Sequence, residues 1–305
     1  MHDTSTSSIE HSVTRALSFG GIVFVIGAIV FNLLVVARSD RIGDELVWRM
    51  ESRAAVTGVS ASTLIIIDAF IRVVLESRMM SAMPGMEPMG ITDVLMNTAW
   101  GFAMRLQIIA ASVALIAFAI AISRVRGAWV IASLAGAVLS LTPALAGHAA
   151  ATPRFHSLMI LTDVLHVIGA SSWLGNLACV MFIGVPILLR AGGAERWQSI
   201  AALVNTFSPI ALASATLVLV SGVIASWIHL ERLSALWSTS YGQVLLLKLA
   251  LVVVTLVIGA YNFRRVQPLL IQEEGASRLR KSATLELTAG ALIILVTGFL
   301  TGISP

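Results

Sequence analysis

Three histidines, an aspartate and a methionine crowd into residues 147–175, GHAAATPRFHSLMILTDVLHVIGASSWLG. They are His148, His156, Met159, Asp163 and His166, with Trp173 close behind. Strongly apolar sequence surrounds them. Ionisable groups are costly there and mark a binding site or an ion path unless they pair statically. On a helix, His156, Met159, Asp163, His166, Trp173 and Met181 fall within one face about 100° wide. Imidazole and thioether both bind copper, and thioether favours the softer Cu(I). Asp163, three residues before His166, is placed to orient that imidazole. The plain alternative is a polar helix–helix contact with the methionines as packing.

Further candidates lie elsewhere. Met79, Met80, Met83, Met86 and Met89 fall within eleven residues broken by Pro84-Gly85. Thioethers on such a loop can capture a soft ion; a membrane-skimming loop would more naturally use Leu, Phe or Trp. His148 follows Pro143 at the end of an apolar run, and across a seven-residue gap lies His156, near enough to share a site. His229 is a further outer-side ligand candidate. His2 and His11 belong to a short N-terminal tail. Asp68 and Arg72, spaced i, i+4, can pair inside a membrane helix. Together with Arg105, Lys248 and Glu286 they form a candidate network of buried charge, either static or a proton relay.

The elements that position these residues follow from composition. Hydrophobic residues make up 57% of the chain and charged residues 12%, too few charges for a soluble domain. A membrane span needs about 20 apolar residues. Eight candidates run over 16–37, 54–78, 97–122, 127–149, 157–189, 199–228, 242–263 and 283–303. Backbone groups in lipid must be satisfied within the segment, so these are helices. The expected fold is an all-α, polytopic bundle over 1–305, one transmembrane domain. Pro186 and Pro209 are expected breaks in the long fifth and sixth spans. The first apolar run is too long for a signal-peptide core and reads as a retained span.

Basic residues orient the bundle. Arg38, Arg41, Arg49, Arg53, Arg124, Arg126, Arg190, Arg196, Arg264, Arg265, Arg278, Arg280 and Lys281 fall in the odd-numbered connections. Only Arg15, Arg78, Arg154 and Arg232 fall on the other side. The positive-inside rule makes the first side cytoplasmic and puts both termini outside. The histidines then gather at the outer side, with His166 about 15 Å below His156. The single cysteine, Cys179, has no partner within the chain for a disulfide. No repeated motif divides the chain into halves. There is no phosphate loop, nucleophile elbow, His-Glu-x-x-His helix or Cys-x-x-Cys, and no basic run suited to nucleic acid.

Several short pieces, in this order, carry a resemblance: Gly147-His148-Ala149; Asp163-Val164-Leu165-His166 with Trp173-Leu174-Gly175; and Tyr241-Gly242-Gln243 through Lys248 with Asn262. The last span, from Glu286 to Thr301-Gly302-Ile303-Ser304-Pro305, completes them. In these the chain resembles the bacterial copper resistance protein D (CopD) family of inner-membrane proteins. The resemblance implies copper movement across the bacterial inner membrane, often with a periplasmic copper-binding protein of the CopC type. No CopC-like domain is expected within this chain, whose outer tail is residues 1–15, so such a partner would be a separate protein. The reading from residues and resemblance together is copper import, with Met and His groups outside passing the ion to the intramembrane stripe. A different class stays open: a membrane oxidoreductase in which His148 or His156, with His166, holds a b-type haem. A third is a copper-binding assembly or sensor protein without catalysis.

Overall fold

The computed structural model describes residues 3–37, 42–82, 89–147, 156–193, 195–229 and 232–303. At 3–8, 36, 229, 273, 274 and 276 it describes the backbone alone. Eight helices among these residues are long and apolar enough to cross a membrane: Ile9–Val35, Asp44–Ser81, Ala99–Ala121, Arg126–Ala146, His156–Ala191, Arg196–Ile228, Ser240–Leu269 and Ser277–Leu300. The described residues contain no strand. The chain is a multi-pass, all-helical membrane protein. Helix begins at Asp3, so His11, expected in a loose tail, sits half-buried in the first helix.

The first and fifth spans are the axis of the bundle. Each is 72% buried over its apolar window, whereas the other six range from 11% to 50%. Small residues allow this pair to approach closely, the usual device where lipid supplies no hydrophobic drive between helices. A Cβ on Gly27 would collide with the backbone of Gly175, and one on Gly175 with the backbone of Val23.

Around that axis the two halves of the chain share a pattern. The third and seventh spans start the same way. A short helix (Ile91–Asn97, Ala235–Ser238) runs into an extended threonine, Thr98 or Thr239. Its hydroxyl caps the span by accepting from the N–H of Gly101 at 2.8 Å, or of Gly242 at 3.0 Å. Both glycines lie against the preceding short helix, where a Cβ would strike backbone. The shared pattern is Thr-x-aromatic-Gly. With it as an anchor, other pairs fall into order. Val25-Ile26-Gly27-Ala28 matches Val167-Ile168-Gly169-Ala170. Thr63-Leu64-Ile65-Ile66-Ile67-Asp68 matches Thr216-Leu217-Val218-Leu219-Val220-Ser221. Thr142-Pro143-Ala144-Leu145-Ala146-Gly147 matches Thr297-Gly298-Phe299-Leu300-Thr301-Gly302. The first four and the last four spans thus carry matching pieces in the same order, and each set is here termed a repeat.

One difference between the repeats matters for the site. From Ala28 to Asn32 the first span is ordinary α-helix, but from Ala170 to Asn176 the fifth is two residues longer and π-helical over Ser171–Gly175. A second π turn covers Val180–Gly184, and Pro186 begins the helix that follows. Wide turns change helical phase and often mark functional positions. Pro209, by contrast, lies inside an unbroken helix from Arg196 to His229.

Candidate functional site

A cavity of about 790 Å³ opens at the end of the bundle where the fourth and sixth spans finish and the fifth and seventh begin. Here that end is termed the terminal face, because the first helix also starts and the last helix ends there. The opposite end, with Arg49, Arg124 and Arg190, is the arginine face. The cavity lies chiefly among the fifth to eighth spans, with Phe19 and Pro143 closing one side. Its walls are mostly apolar. Four groups capable of chemistry line it: Asp163 and His166 from the fifth span, and Tyr241 and Lys248 from the seventh. Arg232 stands at the rim.

Each polar side chain is placed by the helix that carries it. Asp163 and His166 are three residues apart, so one helical face presents both. Tyr241 follows the Thr239 cap and Lys248 lies two turns deeper. The sixth span supplies the support. Gly222 packs beside the imidazole, where a Cβ would sit in ordinary contact, 3.5 Å from His166 Cε1. The neighbouring Ser221 Oγ lies 3.0 Å from His166 Nδ1.

That contact ties the imidazole to the sixth span, and its direction follows from where the hydroxyl hydrogen goes. The Ser221 hydroxyl has one hydrogen, and it donates to the Leu217 carbonyl at 2.6 Å, with the Val218 carbonyl at 3.2 Å. Toward His166 the serine oxygen is therefore an acceptor. With the hydroxyl donating to its own helix, Nδ1 would carry the ring hydrogen and Nε2 of the neutral ring would keep its lone pair. A histidine that ligates a metal is commonly held in this way, through its other ring nitrogen. The sequence suggested Asp163 for this supporting role, but the structure gives it to Ser221, a residue with no signal of its own in an apolar run. Asp163 is acted on instead by the charge of Lys248, and in turn acts on Tyr241. Among the described residues no ion pair within 4.0 Å joins Asp163 and Lys248.

Other expected ligands land elsewhere. Met159 is fully buried in packing and does not line the cavity. His156 is exposed at the first turn of its helix. It stands about 15 Å along the same helix from His166. The two cannot therefore be axial ligands of one haem iron. Met79 is exposed and Met80 half-buried at the end of the second span. Met89 is tied there by its carbonyl, which accepts from Ser77 Oγ at 2.8 Å and from Ser81 Oγ at 3.2 Å. Met83, Met86 and His148 lie outside the described residues, and His229 is described by its backbone alone. No three His, Cys, Asp or Glu side chains among the described residues are grouped as a metal site.

The residues expected to form a network of buried charge are dispersed through the bundle. Asp68 is 1% exposed with no hydrogen-bond partner at either oxygen, and no ion pair within 4.0 Å joins it to Arg72 among the described residues, although the two charges act on each other. Arg72 lies over the Trp100 ring at 5.7 Å. Arg105 reaches the terminal face and donates to Met96 Sδ at 2.8 Å. Lys248 belongs to the cavity. Glu286 binds three spans together: its Oε1 accepts from Trp173 Nε1 at 2.9 Å and its Oε2 from Asn262 Nδ2 at 3.0 Å. The π turn at Ser171–Gly175 carries Trp173 to this partner, away from the cavity that Asp163 and His166 face. A single 3.6-residue stripe along the whole fifth span is thus interrupted.

The family described as copper resistance protein D-like, N-terminal domain, matches residues 8–153, and copper resistance protein D matches residues 201–300. The copper transport protein CutJ of Bacillus subtilis (strain 168) is 28% identical over 165 residues, which are 54% of this chain and 29% of that protein. The chain therefore covers under a third of that relative's own length. No solved structure matches the chain.

Proposed function

The chain belongs to the copper resistance protein D family, and we propose that it moves copper across the bacterial inner membrane through the His166 cavity. The terminal face is the outer side in this reading, as the distribution of arginine requires. One observation carries the proposal: the Ser221 contact that leaves His166 Nε2 free as a ligand in a cavity that also holds a carboxylate.

The ion is cargo, held by few ligands and released. The described donors are an imidazole nitrogen, the Asp163 carboxylate and the Tyr241 phenol, with no thioether or thiol among the described lining residues. Nitrogen and oxygen donors suit Cu(II) better than the Cu(I) expected from the methionines. Lys248 gives the site its exchange chemistry. Without copper its ammonium offsets the Asp163 charge; an arriving cation takes over the carboxylate and repels the ammonium, so binding and release are coupled to one side chain. Gly147 lines the cavity, and His148 follows it in sequence as a further nitrogen donor for capture. Toward the arginine face, the buried polar atoms of Ser171 and Asn176 lack hydrogen-bond partners and offer the next polar steps.

The test is copper binding to the purified protein, and copper flux in proteoliposomes, for wild type and His166→Ala. Loss of both in the variant is expected. Wild-type copper content and flux in His166→Ala would remove this cavity from the path.

A further inference from the structure

A second pocket, of about 390 Å³, lies on the arginine face between the second and fifth spans. Trp48, Arg49, Ser52 and Arg53 line it from the first turns of the second span, and Ile187 and Arg190 from the last turns of the fifth. Its polar groups are donors of one kind. Two are buried without a hydrogen-bond partner, Trp48 Nε1 and Ser52 Oγ. Of the nearby carboxylates, Glu45 is engaged by Arg49 at 3.0 Å and Arg124 at 3.8 Å, and Glu51 lies under the charges of Arg126 and Arg124; the Arg124 guanidinium lies 4.3 Å from the centre of the Trp48 ring. Neither Arg53 nor Arg190 has a carboxylate within 4.0 Å among the described residues. A pocket of guanidinium, indole N–H and hydroxyl donors calls for an anion with several acceptor oxygens.

We propose that this pocket holds the phosphate of an anionic phospholipid. Its depth decides for lipid over free phosphate. It lies within the first and last turns of two spans, at headgroup level, where tryptophan also concentrates. Exposed apolar side chains lie farther along both spans, toward the membrane interior: Val56, one turn beyond Ser52, is 44% exposed, and Phe182 on the fifth span 71%. A choline headgroup would bring a fixed cation against three arginines, so the pocket selects glycerol-type headgroups. Basic pockets between spans on the cytoplasmic side are a recurrent form of lipid recognition. None of this depends on the copper reading.

Native mass spectrometry of the full-length protein in detergent, with equal phosphatidylglycerol and phosphatidylcholine, tests the assignment. Wild type should retain phosphatidylglycerol in preference, and millimolar inorganic phosphate should not displace it. Each arginine near the surface contributes about five-fold, so Arg53→Gln with Arg190→Gln should weaken binding about 25-fold. Arg264→Gln with Arg265→Gln, on the same face but outside the pocket, should bind as wild type. Equal retention of both lipids by wild type overturns the proposal, and that measurement needs no variant to fold. So does wild-type affinity in the Arg53/Arg190 variant. Displacement by inorganic phosphate would assign the pocket to a free anion and overturn the lipid reading.

Discussion

Where the C-terminal repeat has His166, the N-terminal repeat has Phe24, followed in both by Val-Ile-Gly-Ala. Ser221, which fixes the imidazole, corresponds to Asp68. Lys248, nine residues beyond the Thr239 cap, corresponds to Gln107, nine beyond Thr98. Asp163 corresponds to Gly21. The two halves share helix placement and differ in chemistry at each of these positions. In the first half Gln107 closes onto Ser18 Oγ through a buried hydrogen bond of 2.7 Å. In the second, the same region is hollow and lined by ionisable groups. The shared scaffold sets where spans stand; four substitutions and a wide turn distinguish the half that holds the cavity from the half that does not. Function therefore belongs to the site and not to the repeat.

The comparison can be attacked at its shared axis first. Gly27→Val forces a branched side chain into the backbone of Gly175, and we expect destabilisation of at least about 3 kcal/mol. Detergent-solubilised protein should show it as loss of the monodisperse peak on size exclusion; an unaffected peak would mean the central pair is not closely packed. Next comes the chemistry unique to one half. His166→Ala should weaken copper binding about 100-fold, equivalent to about 2.7 kcal/mol, by equilibrium titration. Ser221→Ala removes only the orienting acceptor, and about ten-fold weaker binding is expected, with the protein folded as wild type. Trp173→Phe deletes one hydrogen bond to Glu286 and should lower stability by about 1–2 kcal/mol in thermal unfolding while copper affinity holds. The smallest effect sharpens the asymmetry most. Asp68→Asn, at the Ser221 position of the other repeat, should leave copper affinity within about two-fold, because distant sites add independently. A loss there as large as that for Ser221→Ala would show that both halves bind the ion.

Much of the fold was legible because lipid makes sequence explicit. Each of the eight apolar runs is found as a span, with ends displaced by several residues: the second begins at Asp44 and not 54, and the first by Ile9 and not 16. The ends shift because helices continue past the apolar core as charged, exposed turns. Asp163 and His166 were also legible, as ionisable groups at helical spacing. Their supports were not. Ser221 is one serine among many, and small polar side chains in spans commonly bond their own backbone. Trp173 was read onto the same stripe as His166, but the π turn after Ala170 carries it to Glu286, and nothing in the residue types of Ser171–Gly175 signals a wide turn. The repeat escaped notice because its matching pieces are four to six residues long and separated by connections of unequal length.

The sequence by itself determined that this is a helical membrane protein, how many times it can cross, and which residues are too polar for their surroundings. Those are local properties: transfer of each segment into hydrocarbon depends on its own side chains and its own backbone hydrogen bonds. Which polar residues meet was decided only by tertiary structure. His166 found Ser221, Trp173 found Glu286, and Asp68 found no hydrogen-bond partner. Such pairings depend on how close glycines let two helices come and on the phase of each helix where it arrives, neither of which is encoded within a single span.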